Sequence, residues 1–241
     1  MLEILYQDPY IVAINKPAGL LVHRSMIDKY ETEFALQQMR DQIGQHVYPV
    51  HRLDKPTSGV LLFGLNSDIA RKLTEQFTQR AVTKNYLAIV RGYTPEQETI
   101  DYALKEEKDK MTDTGVADDK AAQSAVTHYT RLQTTELAFP VGRYPTARYS
   151  LISLQPETGR KHQLRRHMKH IFHPIVGDTT HGDGKHNQLF RDKFDCSRLL
   201  LHSNALQFQH PATDQGISIE ASISADLASL FTTLGFNLPQ H

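Results

Sequence analysis

The residues most able to do chemistry lie in the stretch HRLDKPTSGVLLFG, at positions 51–64. Within it, Asp54 has the basic residues Arg52 and Lys55 close on either side and stands just before Pro56. A carboxylate on a turn among basic side chains stays ionised and accessible, which suits a nucleophile or a general base. A plain turn residue before a proline has the same setting, and the local features alone favour that second interpretation.

A second basic cluster, TGRKHQLRRHMKH at positions 158–170, is predicted to form a helix after a strand. From residue 157 to residue 173 there are five Lys and Arg and one Glu, which gives a net charge of +4. The side chains suited to phosphate contact are Arg160, Arg165, Arg166 and Lys169. One arginine can instead form a forked pair with a carboxylate. The alternative is a solvated basic helix face.

Histidines suggest metal binding as a third chemistry. The candidates are His167, His170, His173, His181 and His186. We expect no metal site, because no acidic ligand accompanies them as in HExxH and the chain has one cysteine, Cys196. We also expect no nucleotide cofactor, since the sequence contains no GxGxxG and no Walker A loop.

The elements that must position these residues follow no regular βαβ order. Hydrophobic alternation and short apolar runs predict strands at 3–7, 10–15, 60–65, 82–90, 149–154 and 217–223. Helices are predicted from a Thr32 cap to Ile43, from a Ser67 cap onward, over 159–170 and over 224–234. Such a mixture is typical of an α+β fold. The polar, acidic segment 105–123 is predicted to be an exposed loop excursion.

Length and composition limit the class of protein. The chain has 241 residues, 39% of them hydrophobic, and we expect a single catalytic domain over residues 1–241. No apolar run approaches the roughly 18 residues of a membrane span, and the N-terminus does not resemble a signal peptide. With one cysteine, a cytoplasmic protein is expected. Lys and Arg (27) balance Asp and Glu (27), which argues against unspecific nucleic-acid binding but leaves specific binding open.

Six segments in order resemble the RluA family of pseudouridine synthases, over about residues 4–223. They are NKPAGLLVH (15–23), HRLDKPTSGVLL (51–62), KNYLAIVRG (84–92), TGRKHQLRRH (158–167), HPIVGD (173–178) and LLLHSNALQFQHP (199–211). The resemblance implies the pseudouridine synthase catalytic fold, a mixed, mostly antiparallel central sheet flanked by helices and loops. We expect no S4-type RNA-binding domain. The resemblance also replaces the turn-residue interpretation of Asp54 with a catalytic one.

The reaction implied by the family isomerises uridine in RNA. The N1–C1′ bond breaks, the uracil turns, and C5 bonds to C1′ without redox change or group transfer, so no cofactor is needed. By resemblance, Asp54 is the nucleophile and Arg165 is its charge partner. Tyr86 matches the tyrosine that stacks on uracil and helps to remove the C5 proton, although a strand aromatic in the core would look the same. Attack of Asp54 on ribose C1′ and attack on the ring both remain open.

A closer resemblance connects the chain with family members that modify uridine 65 of tRNA. It is carried by DQIGQHV (41–47), GRYPTARYSL (142–151) and HGDGKHN (181–187). A uridine in a stem must flip out of the helix to be reached, and Arg52 matches an arginine associated with filling the gap. The remaining residues predicted to bind substrate are Lys84, Arg160, His162, Gln163, Arg166 and Lys169. The expected partner is therefore tRNA. We expect no membrane association and no obligate protein partner, and we expect the enzyme to be a monomer.

The sequence departs from the family at His181-Gly182, where most members have Tyr-Gly, so the role of that tyrosine is not transferred. Three alternative functions stay open. The first is an RluA-type synthase that acts on another tRNA or ribosomal RNA uridine. A nucleoside or glycoside hydrolase usually needs a second positioned carboxylate, and HRLDKPTSG offers one. A non-catalytic RNA-binding protein would be expected to have lost Asp54, Tyr86 or Arg165, and all three are present.

Overall fold

The computed structural model describes residues 1–23, 32–106 and 121–237. Within these residues ten strands form one sheet and five helices accompany it. The strands are β1 (Glu3–Gln7), β2 (Ile11–Lys16), β3 (Tyr48–Pro49), β4 (Ser58–Gly64), β5 (Thr83–Arg91), β6 (Gln97–Asp101), β7 (Val126–Leu137), β8 (Ala147–Pro156), β9 (Leu201–Gln209) and β10 (Gly216–Glu220). The helices are α1 (Ala35–Ile43), α2 (Ser67–Thr78), α3 (Gln163–His170), α4 (Gly184–Phe194) and α5 (Ala225–Thr233).

The sheet confirms the predicted α+β class. Its main order is β1-β2-β4-β9-β5-β8-β7-β6, with β3 paired to β4 and β10 paired to β9. The neighbouring strands are antiparallel except for the parallel pair β4–β9. At that central pair Gly59 has a φ of 112°, and a Cβ built there would lie 2.1 Å from the Ser203 carbonyl oxygen. The two backbones therefore approach as closely as they do only because residue 59 is glycine.

The helices that matter for the site pack on the middle of the sheet. Leu164 and Met168 of α3 are buried against β8 residues Ile152 and Leu154. Helix α2 covers the neighbouring region, where its buried Leu73 packs in the cluster that includes β4. Helix α3 is thus fixed over β8 and beside β5, the strand that carries Tyr86.

Three predicted helix starts were wrong, each for a local reason. Helix α1 begins at Ala35 after an extended Phe34, and Thr32 lies outside it. The α2 cap is Asn66, whose side chain accepts a hydrogen bond from the Ile69 backbone, so Ser67 is already helical. Helix α3 begins at Gln163, because His162 adopts a left-handed conformation with a φ of 54°. The stretch from Gly159 to Lys161 is consequently not helical, and it lines the cleft described below.

The acidic segment 105–123 is described only at its two ends. Leu104 and Gln123 form an isolated antiparallel bridge, which brings those ends together. The rest of the predicted excursion, residues 107–120, lies outside the described residues. None of the described helices is both long enough and apolar enough to span a membrane.

Candidate active site

The loop between β3 and β4 presents Asp54 at the end of a completely buried strand. The Thr57 backbone N–H donates to the Asp54 carbonyl at 3.0 Å, which closes the turn through Lys55 and Pro56. The strand that follows is buried at every position from Ser58 to Gly64. The Asp54 side chain keeps 22% of its surface exposed, so its carboxylate is anchored from behind and open in front.

Lys16, at the end of β2, braces this loop from inside the protein. Its buried ammonium donates to three carbonyl oxygens, those of Pro17 at 2.9 Å, Leu20 at 2.7 Å and Lys55 at 3.2 Å. Burial, reinforced by repulsion from Arg198, lowers the pKa of Lys16 to about 7, while the Asp54 charge opposes that change. The sequence prediction missed this residue, although it lies in the quoted NKPAGLLVH segment.

Arg165 holds Asp54 and a second carboxylate together. From α3 its Nη1 donates to Asp54 Oδ2 at 3.1 Å. Its Nε and Nη2 donate to the two oxygens of Asp178 at 2.7 and 2.9 Å, in a bidentate pair. The predicted contact between Arg165 and Asp54 is therefore present in the structure, and Asp178 was missed. The only sequence signal for Asp178 was its place at the end of HPIVGD.

The Asp178 carboxylate is almost fully enclosed, with 1% of its side chain exposed. Burial raises its pKa, but hydrogen bonds from Arg165 and from the backbone N–H groups of His181 and Thr180 lower that pKa by more. The two carboxylates in turn raise the pKa of Arg165 against the effect of its burial. The guanidinium is thus a fixed cation shared by a buried anion and a partly exposed one.

Tyr86 lies on β5 and lines a cleft together with Asp54 and Arg165. Its ring is partly buried and packs against two clusters of the hydrophobic core. Burial raises the pKa of its phenol to about 12; a hydrogen bond with Ser203 opposes this rise and the Asp54 charge adds to it. The phenol is therefore protonated at neutral pH and stands within electrostatic reach of Asp54. It can offer a flat ring and a hydroxyl to a molecule in the cleft.

The predicted site residues largely converge on one cleft of about 960 Å³. Its walls include Asp54, Tyr86, Arg165, Arg52, Lys84, Arg160, His162, Gln163 and Arg166. Lys169 is absent from that lining and lies exposed near the other end of α3. Burial, followed by repulsion from Arg80, lowers the pKa of Lys84 to about 8.

The Gln163 amide, predicted to bind substrate, is occupied by four hydrogen bonds within the protein. Its oxygen accepts from the Thr158 hydroxyl at 2.7 Å and from the Arg160 backbone at 3.0 Å. Its nitrogen donates to the Val126 carbonyl at 2.9 Å and to the Thr127 hydroxyl at 3.0 Å. These four bonds use all of the amide's usual capacity, so Gln163 fixes the turn before α3 to β7.

The histidines considered as metal ligands have separate protein partners. His167 is buried between the Thr127 hydroxyl and the Tyr102 carbonyl, and His173 contacts the Arg91 carbonyl. His186 is bonded to the Tyr149 hydroxyl, as part of α4. Among the residues that the structure describes, no group of three or more His, Cys, Asp or Glu is arranged to hold a metal ion.

Comparison with known proteins agrees with this geometry. Residues 10–170 match the family model described as RNA pseudouridylate synthase. The chain is 56% identical over 231 residues to the tRNA pseudouridine synthase C of Vibrio parahaemolyticus, covering 96% of this chain and 94% of that protein. It is 55% identical to the protein of the same name from Haemophilus influenzae, covering 98% and 99%.

Solved structures give the same result at greater distance. Human RNA Pseudouridylate Synthase Domain Containing 4 is 26% identical, with a TM-score of 0.73 and coverage of 99% of this chain and 95% of that one. Human RNA Pseudouridylate Synthase Domain Containing 1 is 25% identical, with a TM-score of 0.71 and coverage of 98% and 95%. With a family match over most of the chain and relatives above half identity along nearly its whole length, this chain belongs to the RNA pseudouridylate synthase family.

Proposed function

We propose that this protein is a tRNA pseudouridine synthase that isomerises the uridine at position 65. The observation that carries the proposal is the position of the Asp54 carboxylate. It accepts a hydrogen bond from Arg165 at 3.1 Å and opens to a cleft lined by basic side chains. The names of the relatives above half identity support tRNA as the substrate class. The whole reaction is assigned to one catalytic domain without a cofactor.

In this proposal Asp54 is the nucleophile and Arg165 compensates its charge. Asp54 forms a bond to C1′ or to the uracil ring while the N1–C1′ bond of the uridine breaks. The uracil then turns, its C5 bonds to C1′, and the bond to Asp54 breaks again, which restores the carboxylate. The C5 proton leaves and a proton is gained at N1, so the product is an isomer of the substrate. The Tyr86 ring supplies the surface on which the uracil turns, and its protonated hydroxyl can hydrogen-bond a uracil carbonyl.

The target base must leave its stem before it can reach Asp54. Flipping a stacked base costs a few kcal/mol, and a protein side chain that fills the gap offsets part of that cost. Arg52 is exposed, lies two residues from Asp54 and lines the same cleft, which suits this role. Arg160, Arg166 and Lys84 line the cleft as well and are suited to the phosphates on either side of the flipped nucleotide.

The proposal is tested with tRNA carrying tritium at C5 of its uridines. Wild-type protein is expected to release tritium from a transcript with uridine at position 65 and none from a transcript with cytidine there. Asp54→Asn is expected to fold and to bind tRNA while releasing no tritium. Release by Asp54→Asn within tenfold of wild type would refute the nucleophile assignment, and release from the cytidine transcript would refute the position. Free uracil in the reaction mixture would instead indicate a hydrolase.

A further inference from the structure

Two histidines connect the loop that contains Asp178 with the Asp54 carboxylate. His162 Nε2 lies 3.8 Å from Asp54 Oδ2, and His162 Nδ1 lies 3.0 Å from His181 Nε2. The two rings meet edge to face, with centroids 5.2 Å apart and planes at 69°. We infer that His181 is a positioning residue that acts through His162, by fixing the ring nitrogen of His162 that presents a proton to Asp54. The kinetic consequence rests on the proposed function.

The inference follows from the donor and acceptor roles of imidazole. A hydrogen bond between two ring nitrogens needs one donor and one acceptor. If His181 donates, a neutral His162 accepts at Nδ1 and carries its proton on Nε2, which faces Asp54. If His162 is a cation, Nε2 is again protonated while Nδ1 donates to His181. The remaining arrangement would turn a nitrogen lone pair toward the carboxylate, which repels it.

The backbone around His181 keeps its ring in place. The His181 N–H donates to Asp178 Oδ1 at 2.9 Å, and His181 is 7% exposed. A Cβ on the next residue, Gly182, would lie 2.1 Å from the Asp178 carbonyl oxygen, so the turn closes this tightly only with glycine. Asp178 is thus connected to Asp54 Oδ2 by two routes. One route runs through the Arg165 side chain. The other runs through His181 and His162.

The backbone of His162 is consistent with a role beyond the helix start. A left-handed conformation is uncommon for a residue with a side chain, and such strain is concentrated at functional sites. Its side chain forms no cap hydrogen bond with α3, although it occupies the cap position. Its ring is directed instead to Asp54 and His181.

The charged groups around the pair come from several elements. Asp54 faces it from the β3–β4 loop, Arg165 from α3 and Asp178 from the loop before α4, while Tyr86 on β5 interacts with Asp54. Protonation of either ring adds a positive charge beside Asp54. The rate of a reaction that starts at Asp54 is therefore expected to vary with that titration.

The first test uses imidazole ¹⁵N NMR of the RNA-free protein, so it does not depend on activity. In wild type we expect the His162 signals to show a proton on Nε2 at neutral pH. His181→Phe should give mixed tautomers and a titration displaced to lower pH, because the charge-assisted hydrogen bond between the rings is lost. His181→Gln, whose amide can donate or accept, should restore the wild-type pattern. Unchanged His162 signals in His181→Phe would overturn the inference.

A matched control is His186→Phe. It removes a partly buried imidazole that hydrogen-bonds Tyr149 and lies five residues further along the chain, outside the lining of the cleft. We expect this variant to leave the His162 signals and the reaction rate as in wild type. Equal changes in His162 in the two Phe variants would show a general loosening of the region and would contradict the assigned role of His181.

The second test measures single-turnover rates at saturating tRNA from about pH 5 to about pH 9. His181→Phe is expected to react about tenfold more slowly near neutral pH, with its tRNA affinity unchanged and its acid inflection moved to lower pH. His181→Gln should recover most of the rate. An equal loss at every pH without rescue by Gln would indicate packing alone and would overturn the inference. If wild-type protein formed no pseudouridine, the proposed function would fail, and the NMR result would still decide the role of His181.

Discussion

Replacing Arg165 with methionine should damage the protein in two separable ways. The Arg165 side chain is 6% exposed and its bidentate partner Asp178 is 1% exposed, so the change leaves a buried carboxylate without its cation. Breaking a buried pair on one side costs about 3–5 kcal/mol, which is a large part of the usual stability of about 5–15 kcal/mol. The change also removes the 3.1 Å contact with Asp54. We expect at least a hundredfold loss of saturated rate, which corresponds to about 2.7 kcal/mol.

A second variant separates these effects. Arg165→Met combined with Asp178→Asn has no uncompensated buried charge, and the new amide oxygen can still accept from the Thr180 and His181 backbone. The double variant should therefore regain most of the free energy of unfolding measured with urea. Its single-turnover rate at saturating tRNA should stay low, because Asp54 still has no guanidinium partner.

Two results would refute this reasoning. A loss of stability below about 1 kcal/mol in Arg165→Met would show that the buried pair does not behave as an ion pair. A double variant that reacts within tenfold of wild type would show that Arg165 serves only to neutralise Asp178. Circular dichroism of both variants at the assay temperature is the control, since the rates are comparable only between folded proteins.

Three further predictions concern the surroundings of the site. Arg166→Ala should reduce the slope of log affinity for tRNA against log salt concentration by about one unit. Lys169→Ala, which changes a residue outside the cleft, should reduce that slope much less. Equal slopes in the two variants would contradict the assignment of the cleft as the tRNA site. Gln163→Leu should lower the urea midpoint of unfolding, because it leaves polar groups around Thr158 without their hydrogen-bond partner. The tRNA affinity of the folded protein should stay nearly unchanged. A specific loss of that affinity would instead support substrate binding by Gln163. Burial lowers the pKa of Lys16 to about 7 in the folded state. Between about pH 7 and the ordinary pKa of a lysine, the unfolded state therefore binds more protons than the folded state. Stability should consequently rise with pH over that window, and Lys16→Met should weaken the rise in urea titrations; an equal rise in both proteins would contradict the burial argument.

Secondary structure was predictable where hydrophobic burial follows a simple period. The strand at residues 60–65 was predicted because β4 is buried on both faces and reads as an apolar run. The twelve-residue β7 was missed since its last eight residues, from Thr130 to Leu137, are mostly polar on both faces. Helix α4 was missed because it begins with Gly184 and buries few apolar side chains, among them Phe190.

The site shows a similar division. Asp54 and Arg165 could be paired from the sequence because each stands in a recognisable segment of the RluA family. Asp178 and His181 could not, since their roles depend on the Arg165 side chain, which is distant in the sequence, and on a backbone hydrogen bond within their own loop. Lys16 gave no signal either, because its partners are carbonyl oxygens, which every residue type possesses.

The unequal sharing of Arg165 has a consequence for how the site can work. Two of its nitrogens are fixed to the enclosed Asp178, and a third reaches Asp54 at the longer distance of 3.1 Å. Asp54 can therefore turn toward a substrate atom without releasing the guanidinium, which stays anchored by its bidentate pair. A cation that needs no rearrangement when charge moves in front of it is the form of electrostatic stabilisation that contributes most in enzymes. The buried Asp178 is thus the residue that keeps Arg165 in place while Asp54 reacts.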